Sequence, residues 1–232
     1  MRIVHQSDSV LWIERGVVLS ETLHRPGKTD SLHDVLAATL AAFCGPGGRC
    51  AVLGFAAGGL VAPLRAMNCN ASIAGVDLDS RGPALFRNIS SFPIEDVCVE
   101  CADASDWLFE QPPHYDVILD DLSIAHDTEQ VAKPETSWRT LPELMSERVR
   151  DGGTCVLNLL PEHRADVSAD FRRVSSPFRR AATVHFDDYE NVFVLGSNSL
   201  PPIEECRRIL VSALERIGSN QSRRIRVNAI PS

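Results

Sequence analysis

The sequence predicts an α/β fold, a mostly parallel sheet with helices on both faces and a β-hairpin ahead of it. Three observations predict this. Short, near-continuous apolar strands at Cys50–Gly54, Ile73–Leu78, Val97–Cys101, Tyr115–Asp121 and Thr154–Leu160 alternate with helical candidates near 58–67, 80–89, 104–110 and 136–150. Strands apolar throughout are buried on both faces, and intervening helices make parallel pairing possible. The first of these strands also runs into a turn of small residues, Gly54-Phe55-Ala56-Ala57-Gly58-Gly59, which opens the next helix.

Element by element, Val10, Trp12 and Val17-Val18-Leu19 flank a turn at Glu14-Arg15-Gly16 and read as a hairpin. The turn-rich Arg25-Pro26-Gly27-Lys28 follows, and Asp30 or Ser31 then caps a helix whose Leu32, Val35, Leu36, Leu40 and Phe43 recur at helical spacing. Gly45-Pro46-Gly47-Gly48 ends that helix, and the alternation begins. Near the end, Ala181–Asp187 and Asn191–Ser197 read as two strands joined through Asp188-Tyr189-Glu190. A last helix, Pro202–Ile217, aligns Ile203, Cys206, Leu210, Leu214 and Ile217. There is no internal repeat and no break in composition, so residues 1–24 form the hairpin and 25–232 a single structural unit.

Composition agrees. The 232 residues are 44% hydrophobic and 23% charged, which suits one large soluble domain with a substantial core. Twenty-three basic residues against 31 acidic ones give a net charge of −8. An acidic surface repels phosphate backbones, so neither nucleic acid nor membrane is an expected partner. Arg223, Arg224 and Arg226 read as a short solvated tail or edge strand. No apolar run is long enough for a membrane span, and Met1–Gln6 has no signal-peptide core, which points to the cytoplasm. The seven cysteines are an odd number; Cys98 and Cys101 have C-x-x-C spacing, but on an alternating strand and without a second pair, so they read as reduced thiols rather than a zinc or redox motif. His126 and His163 stand at no ligand spacing from other His or Cys, and no metal is expected.

The chemistry concentrates at strand ends. The small-residue loop after the first parallel strand lets backbone approach a ligand closely, or merely packs helix on strand; lacking Gly-Lys-Ser/Thr, it is no P-loop. Asp77, in Gly75-Val76-Asp77-Leu78-Asp79, lies about 20 residues beyond that loop, where an acid holds a ribose hydroxyl pair. Asp79 reads as a cap for the next helix. Asp103, in Cys101-Ala102-Asp103-Ala104, either accepts from an adenine amino group or caps a helix. Asp120 and Asp121 end a central strand, where open α/β sheets bind ligands, and alternation sends the two side chains opposite ways.

This order of motifs resembles the class I S-adenosylmethionine-dependent enzymes, whose methyltransferase fold is Rossmann-like, and within them the spermidine synthase (polyamine aminopropyltransferase) branch. The resemblance runs from about Val10 to Asn198 and includes the hairpin. Leu32-His33-Asp34-Val35-Leu36 is similar to that branch's Tyr-His-Glu-x-Leu, Leu53–Gly59 to its Ile-Gly-Gly-Gly-Asp-Gly-Gly, and Val76–Asp79 to its Val-Glu-Ile-Asp. Asp103-Ala104 matches its adenine-contacting pair and Asp121 its acid after the fourth strand; Gly152-Gly153-Thr154 and Asn191-Val192-Phe193 complete the pattern. The resemblance implies S-adenosylmethionine as co-substrate. It would be held by Gly54, Phe55, Ala57, Gly58, Asp77, Leu78, Asp103, Ala104 and Asp121, with Asp121 as the catalytic base and a homodimer contact through the hairpin.

The departures carry information too. The branch's loop Asp is Ala57 here, its Asp-Ser-x-Asp-Pro is Asp121-Leu122-Ser123-Ile124-Ala125, the Asp-Glu before the first helix is Lys28-Thr29, and a hairpin Gln is Leu19. Polyamines need several carboxylates, so spermidine synthesis is not expected. Ala57 removes a charge that would repel the carboxylate of intact S-adenosylmethionine, which makes the intact form the expected ligand. Methyl transfer to a small molecule is then the leading reaction. The alternatives are attack on the methylene of the amino-acid arm, transferring 3-amino-3-carboxypropyl or cyclising to azetidine-2-carboxylate with release of methylthioadenosine, and a non-catalytic binding or scaffold role. His33, Tyr189 and Asn191 are substrate candidates, each with a plainer reading as core edge or turn. Trp12 and Trp107 could wall a sulfonium, or simply be core.

Overall fold

The computed structural model describes residues 2–125, 131–161 and 166–230. The chain opens with β1 (Arg2–His5), β2 (Ser9–Glu14) and β3 (Val17–Leu23), a three-stranded antiparallel sheet in that order. β2 and β3 are the expected hairpin. β1 is additional, and its four residues, exposed or half-buried, show no apolar face in the sequence.

Ser31 proves to be the cap of α1 (Leu32–Phe43), its Oγ accepting from the His33 N–H. Then come β4 (Arg49–Leu53), α2 (Val61–Ala66), β5 (Ser72–Asp77), α3 (Arg81–Ile89), β6 (Val97–Cys101), α4 (Ala104–Glu110) and β7 (Tyr115–Asp120). A short antiparallel pair, β8 (Ile124–Ala125) and β9 (Val131–Ala132), precedes α5 (Glu135–Trp138) and α6 (Leu141–Arg148). The single helix expected at 136–150 is therefore two. Pro142 has no N–H to give the Trp138 carbonyl, and a new helix starts around it instead. β10 (Val149–Leu159) begins earlier than expected, with a pairing irregularity between Val149 and Thr154. α7 (Val167–Ser175), β11 (Arg180–Phe186), β12 (Val192–Ser197), α8 (Ile203–Arg216) and β13 (Ile225–Ala229) finish the chain. Arg226 stands on β13, the edge strand.

The main sheet has eight strands in the order β13-β11-β12-β10-β7-β4-β5-β6. β10, β7, β4, β5 and β6 are mutually parallel, whereas β12 is antiparallel to both its neighbours. Alternation along the strands feeds two core layers. Val52, Val117 and Leu119 pack with Leu36, Leu64 and Leu210 on one face, while Leu53 and Ile118 pack with Trp107, Leu141 and Met145 on the other. Chain order reverses between β4 and β7, and such a switch point leaves a crevice beyond the carboxyl ends of the strands. Among the described residues no helix is long and apolar enough to cross a membrane.

Candidate functional site

A cleft of about 1540 Å³ occupies that crevice, walled by the strand ends on one side and by β2 and β3 on the other. Its floor is set at Gly54, whose φ of +84° bends the chain out of β4. A Cβ there would lie 2.8 Å from the Asp121 carbonyl oxygen, so the two loops meet backbone to backbone. Ala56 also has a positive φ, 47°, and its N–H donates to Asp77 Oδ2 at 2.7 Å. Asp77 Oδ1 accepts from the Asp79 N–H at 2.9 Å. Asp77 thus ties the loop to β5 while lining the cleft. Burial pushes its pKa up, and the two amides oppose the rise.

Beside it Leu78 is 74% exposed, an apolar side chain standing free on the cleft wall. The N-cap of α3 is Ser80 rather than Asp79; Asp79, one residue earlier, accepts from the Arg81 N–H and pairs with its guanidinium, which draws the Asp79 pKa down. That guanidinium stands 6.0 Å from the Trp12 ring centroid. Asp103 caps α4: its Oδ1 accepts from the N–H groups of Ser105 (2.8 Å) and Asp106 (3.2 Å).

At the other end, Asp121 Oδ1 accepts from Asn158 Nδ2 at 2.7 Å, and Asn158 Oδ1 accepts from Asn191 Nδ2 at 2.8 Å. Lys133 Nζ lies 3.8 Å from the same Asp121 oxygen, with a side chain only 1% exposed. It donates to the Leu122 carbonyl at 2.6 Å and to Ser123 Oγ at 3.3 Å. Burial pulls the Lys133 pKa down, against the attraction of Asp121 and Asp120. Asp120 points the opposite way, fully buried, and burial raises its pKa to about 6 despite the neighbouring Lys133. His33 hangs from α1 over the loop. Burial lowers its pKa, while Asp121, Glu21 and Asp34 resist the fall.

The structure brings Gly54, Asp77, Leu78, Asp103, Ala104, Asp121, His33, Tyr189 and Asn191 onto one cleft. Three residues of the sequence-based set do not line it. Phe55 is buried edge-to-face on Phe86 at 5.3 Å, Gly58 lies under those two rings, and Ala57 is fully buried with its carbonyl accepting from Thr22 Oγ1 at 2.6 Å. The positive φ values at Gly54 and Ala56 turn the loop so that Ala56, not Ala57, faces the cleft. Trp12 is on the wall, but Trp107 packs in the core 6.2 Å from Tyr115. Asn191 is engaged with Asn158 rather than open to a ligand on that side.

Sequence reasoning missed Glu14, Glu21, Lys133, Trp138 and Asn158. Only Glu21 carried a signal, since alternation on β3 puts it opposite buried Ser20 and Thr22, whereas Glu14 shares the parity of buried Val10 and Trp12 on β2. The expected loss of carboxylates therefore holds for the small-residue loop but not for the hairpin. Carboxylates of Glu14, Glu21, Asp77, Asp79, Asp103 and Asp121 line the cleft, and among the described residues Lys133 is its only lysine or arginine. The balance suits a cationic ligand. Among the described residues no cluster of His, Cys, Asp and Glu could hold a metal ion. His126 and His163 lie outside the described residues.

The structure superposes on a probable spermidine synthase from Corynebacterium glutamicum ATCC 13032 with a TM-score of 0.76 and 16% identity, covering 98% of this chain and 86% of that one. The fold is that of the class I S-adenosylmethionine-dependent enzymes. Human methyltransferase-like protein 13, in complex with SAH, gives a TM-score of 0.62 at 20% identity over 80% of this chain and 90% of that one. Spermidine synthase from Thermotoga maritima gives 0.60 at 11% identity over 88% and 75%. At these identities the likeness is one of fold. No protein-family model matches the sequence, and no curated protein does.

Proposed function

We propose that the protein is an S-adenosylmethionine-dependent transferase that methylates a small molecule. The observation that carries this reading is Leu78, 74% exposed at the mouth of a cleft between Asp77 and Asp103. A large apolar side chain left bare there, between two acids at adjacent strand ends, fits a flat base over Leu78, a ribose on Asp77 and an exocyclic amine near Asp103. The surplus of carboxylates fits a sulfonium. The bound group supplies an electrophilic carbon on that sulfonium. The chain's part is to hold it and to aim a nucleophile, which is mostly positioning.

Asp121 offers its second oxygen to the acceptor's N–H or O–H, because Asn158 and Lys133 engage the first. Ala56, the loop residue that faces the cleft, carries only a methyl group, so the loop itself sets no carboxylate against that of the intact amino-acid arm. The cleft's enclosure by the N-terminal sheet suits a small acceptor, and the acidic surface suits neither nucleic acid nor membrane. The same reading has the protein acting in the cytoplasm, as a monomer or as a homodimer through the N-terminal sheet.

A second reading, attack on the methylene of the amino-acid arm, is favoured by the 98% coverage in the C. glutamicum superposition, N-terminal sheet included. One experiment separates the two. S-adenosylmethionine is incubated with the protein, alone and with pooled small amines and alcohols, and the products are read by mass spectrometry. S-adenosylhomocysteine with a methylated acceptor supports the first reading. Methylthioadenosine, with azetidine-2-carboxylate or an aminocarboxypropyl adduct, replaces it with the second. The absence of any affinity for these ligands leaves only a scaffold.

A further inference from the structure

We propose that His33 Nε2 receives the acceptor's proton, and that a relay of hydroxyls running back to Asp34 fixes the imidazole in the tautomer this requires. The inference deepens the transferase reading and rests on it.

The relay follows from counting hydrogens. Asp34 is fully buried, and every group that meets its carboxylate is a donor: the N–H groups of Thr29 and Asp30 at 2.9 Å, the Ser219 hydroxyl at 2.6 Å and the Thr29 hydroxyl at 2.9 Å. Thr29's one hydroxyl hydrogen is therefore committed to Asp34. In the 2.7 Å contact between Thr29 Oγ1 and Ser31 Oγ the hydrogen must be Ser31's. That commits Ser31's hydrogen in turn. In the 3.2 Å contact between Ser31 Oγ and His33 Nδ1 the hydrogen belongs to the imidazole. Ser31 Oγ then donates once and accepts twice, from Nδ1–H and from the His33 backbone N–H at 3.3 Å, which is its full capacity. A neutral imidazole protonated at Nδ1 carries its lone pair on Nε2.

His33 lines the cleft, with the Nδ1 edge of its ring turned back to Ser31. The ring lies directly on the loop backbone, since a Cβ at Gly59 would come within 2.8 Å of both Nε2 and Cδ2. The charged groups facing the ring are Asp121 from the end of β7, Glu21 from β3 and Asp34 from α1 itself. Asp121 is less suited to take the proton, because Asn158 and Lys133 already hold one of its oxygens. It orients the acceptor; His33 completes the transfer. A bond forms from the acceptor nitrogen or oxygen to the methyl carbon, the carbon–sulfur bond breaks with its electron pair going to sulfur, and the acceptor hydrogen passes to Nε2. The positive charge leaves the sulfonium and appears on an imidazolium flanked by three carboxylates. Burial keeps the resting imidazole neutral and ready to accept.

The test reads the tautomer directly. Long-range proton–nitrogen correlation spectra of protein labelled with 15N-histidine identify His33 by its loss in His33→Gln. Near neutral pH the expected pattern is a protonated Nδ1 and a bare Nε2. Thr29→Val frees the Ser31 hydrogen to turn toward Nδ1 and should flip the tautomer, while the helix-capping bond from Ser31 remains. A protonated Nε2 in the unmodified protein, or an unchanged tautomer in Thr29→Val, overturns the proposal. Diethylpyrocarbonate, which acylates bare imidazole nitrogens, should modify His33, and S-adenosylhomocysteine should slow that modification several-fold. If calorimetry shows that S-adenosylhomocysteine does not bind, the transferase reading itself fails. If it binds and leaves His33 modification unchanged, the proposal about His33 fails and the transferase reading stands.

Discussion

Replacing Gly54 by alanine tests whether the two loops of the cleft are locked together as described. Gly54 sits at φ +84°, and an added Cβ would meet the Asp121 carbonyl oxygen at 2.8 Å and the Leu122 nitrogen at 2.9 Å. An L-residue in the left-handed region costs roughly 1–2 kcal/mol. Forcing a methyl against backbone that has no rotamer to yield costs about 1–3 kcal/mol more. A combined loss of about 3 kcal/mol, at about 2–4 °C per kcal/mol for a chain of this size, lowers Tm by about 6–12 °C. Gly47 provides the control. Its φ is +69°, but a Cβ there meets nothing within 4 Å, so Gly47→Ala isolates the backbone strain alone. Paired calorimetric melts should show Gly54→Ala losing clearly more stability than Gly47→Ala, and binding of S-adenosylhomocysteine should weaken only in Gly54→Ala. Equal melting temperatures would refute the close approach of the two loops.

Other substitutions separate stability from binding. Leu78→Ala, at a residue 74% exposed, should leave Tm within about 1–2 °C yet weaken S-adenosylhomocysteine binding by about 3–10-fold, because the ligand would cover apolar surface that the variant lacks; calorimetric titration checks this. Asp34→Ala strips the acceptor from four donors and should cost about 3 kcal/mol, seen as a Tm fall of about 6–12 °C. Asp120, with a folded-state pKa of about 6 against an unfolded value near 4, binds its proton more tightly when folded. Its stabilising contribution is therefore complete below about pH 4 and is lost as pH rises through about 6. Asp120→Asn removes that dependence, so the variant should gain about 3 kcal/mol on the native protein between pH 4 and 7; melts across that range that stay parallel would contradict the burial of Asp120.

What the sequence conveyed follows from periodicity. The parallel strands and α4 were legible because their apolar runs and caps are local signals, and Asp77, Asp103 and Asp121 were legible because strand ends place them. The hidden parts depend on geometry that no window of sequence carries. Phe55 and Ala57 read as cleft residues until two positive φ values turned them inward. Lys133 reads as an ordinary polar residue among Val131-Ala132-Pro134, and only the folded chain shows it buried beside Asp121. α7 is short, and its stripe of Val167, Phe171 and Val174 is interrupted by arginines and serines, while β1 is too exposed to show an apolar face. The split at Arg139-Thr140 was signalled by Pro142, a cue outweighed by the surrounding helical spacing.

The most direct test of the proposed function is calorimetric titration of S-adenosylmethionine, its decarboxylated form and S-adenosylhomocysteine into the protein and into Asp77→Ala. The predicted result is saturable binding of the intact forms, weaker binding of the decarboxylated one, and loss of both in Asp77→Ala. Binding that is absent throughout, or that ignores the loss of Asp77, would contradict the assignment of the cleft.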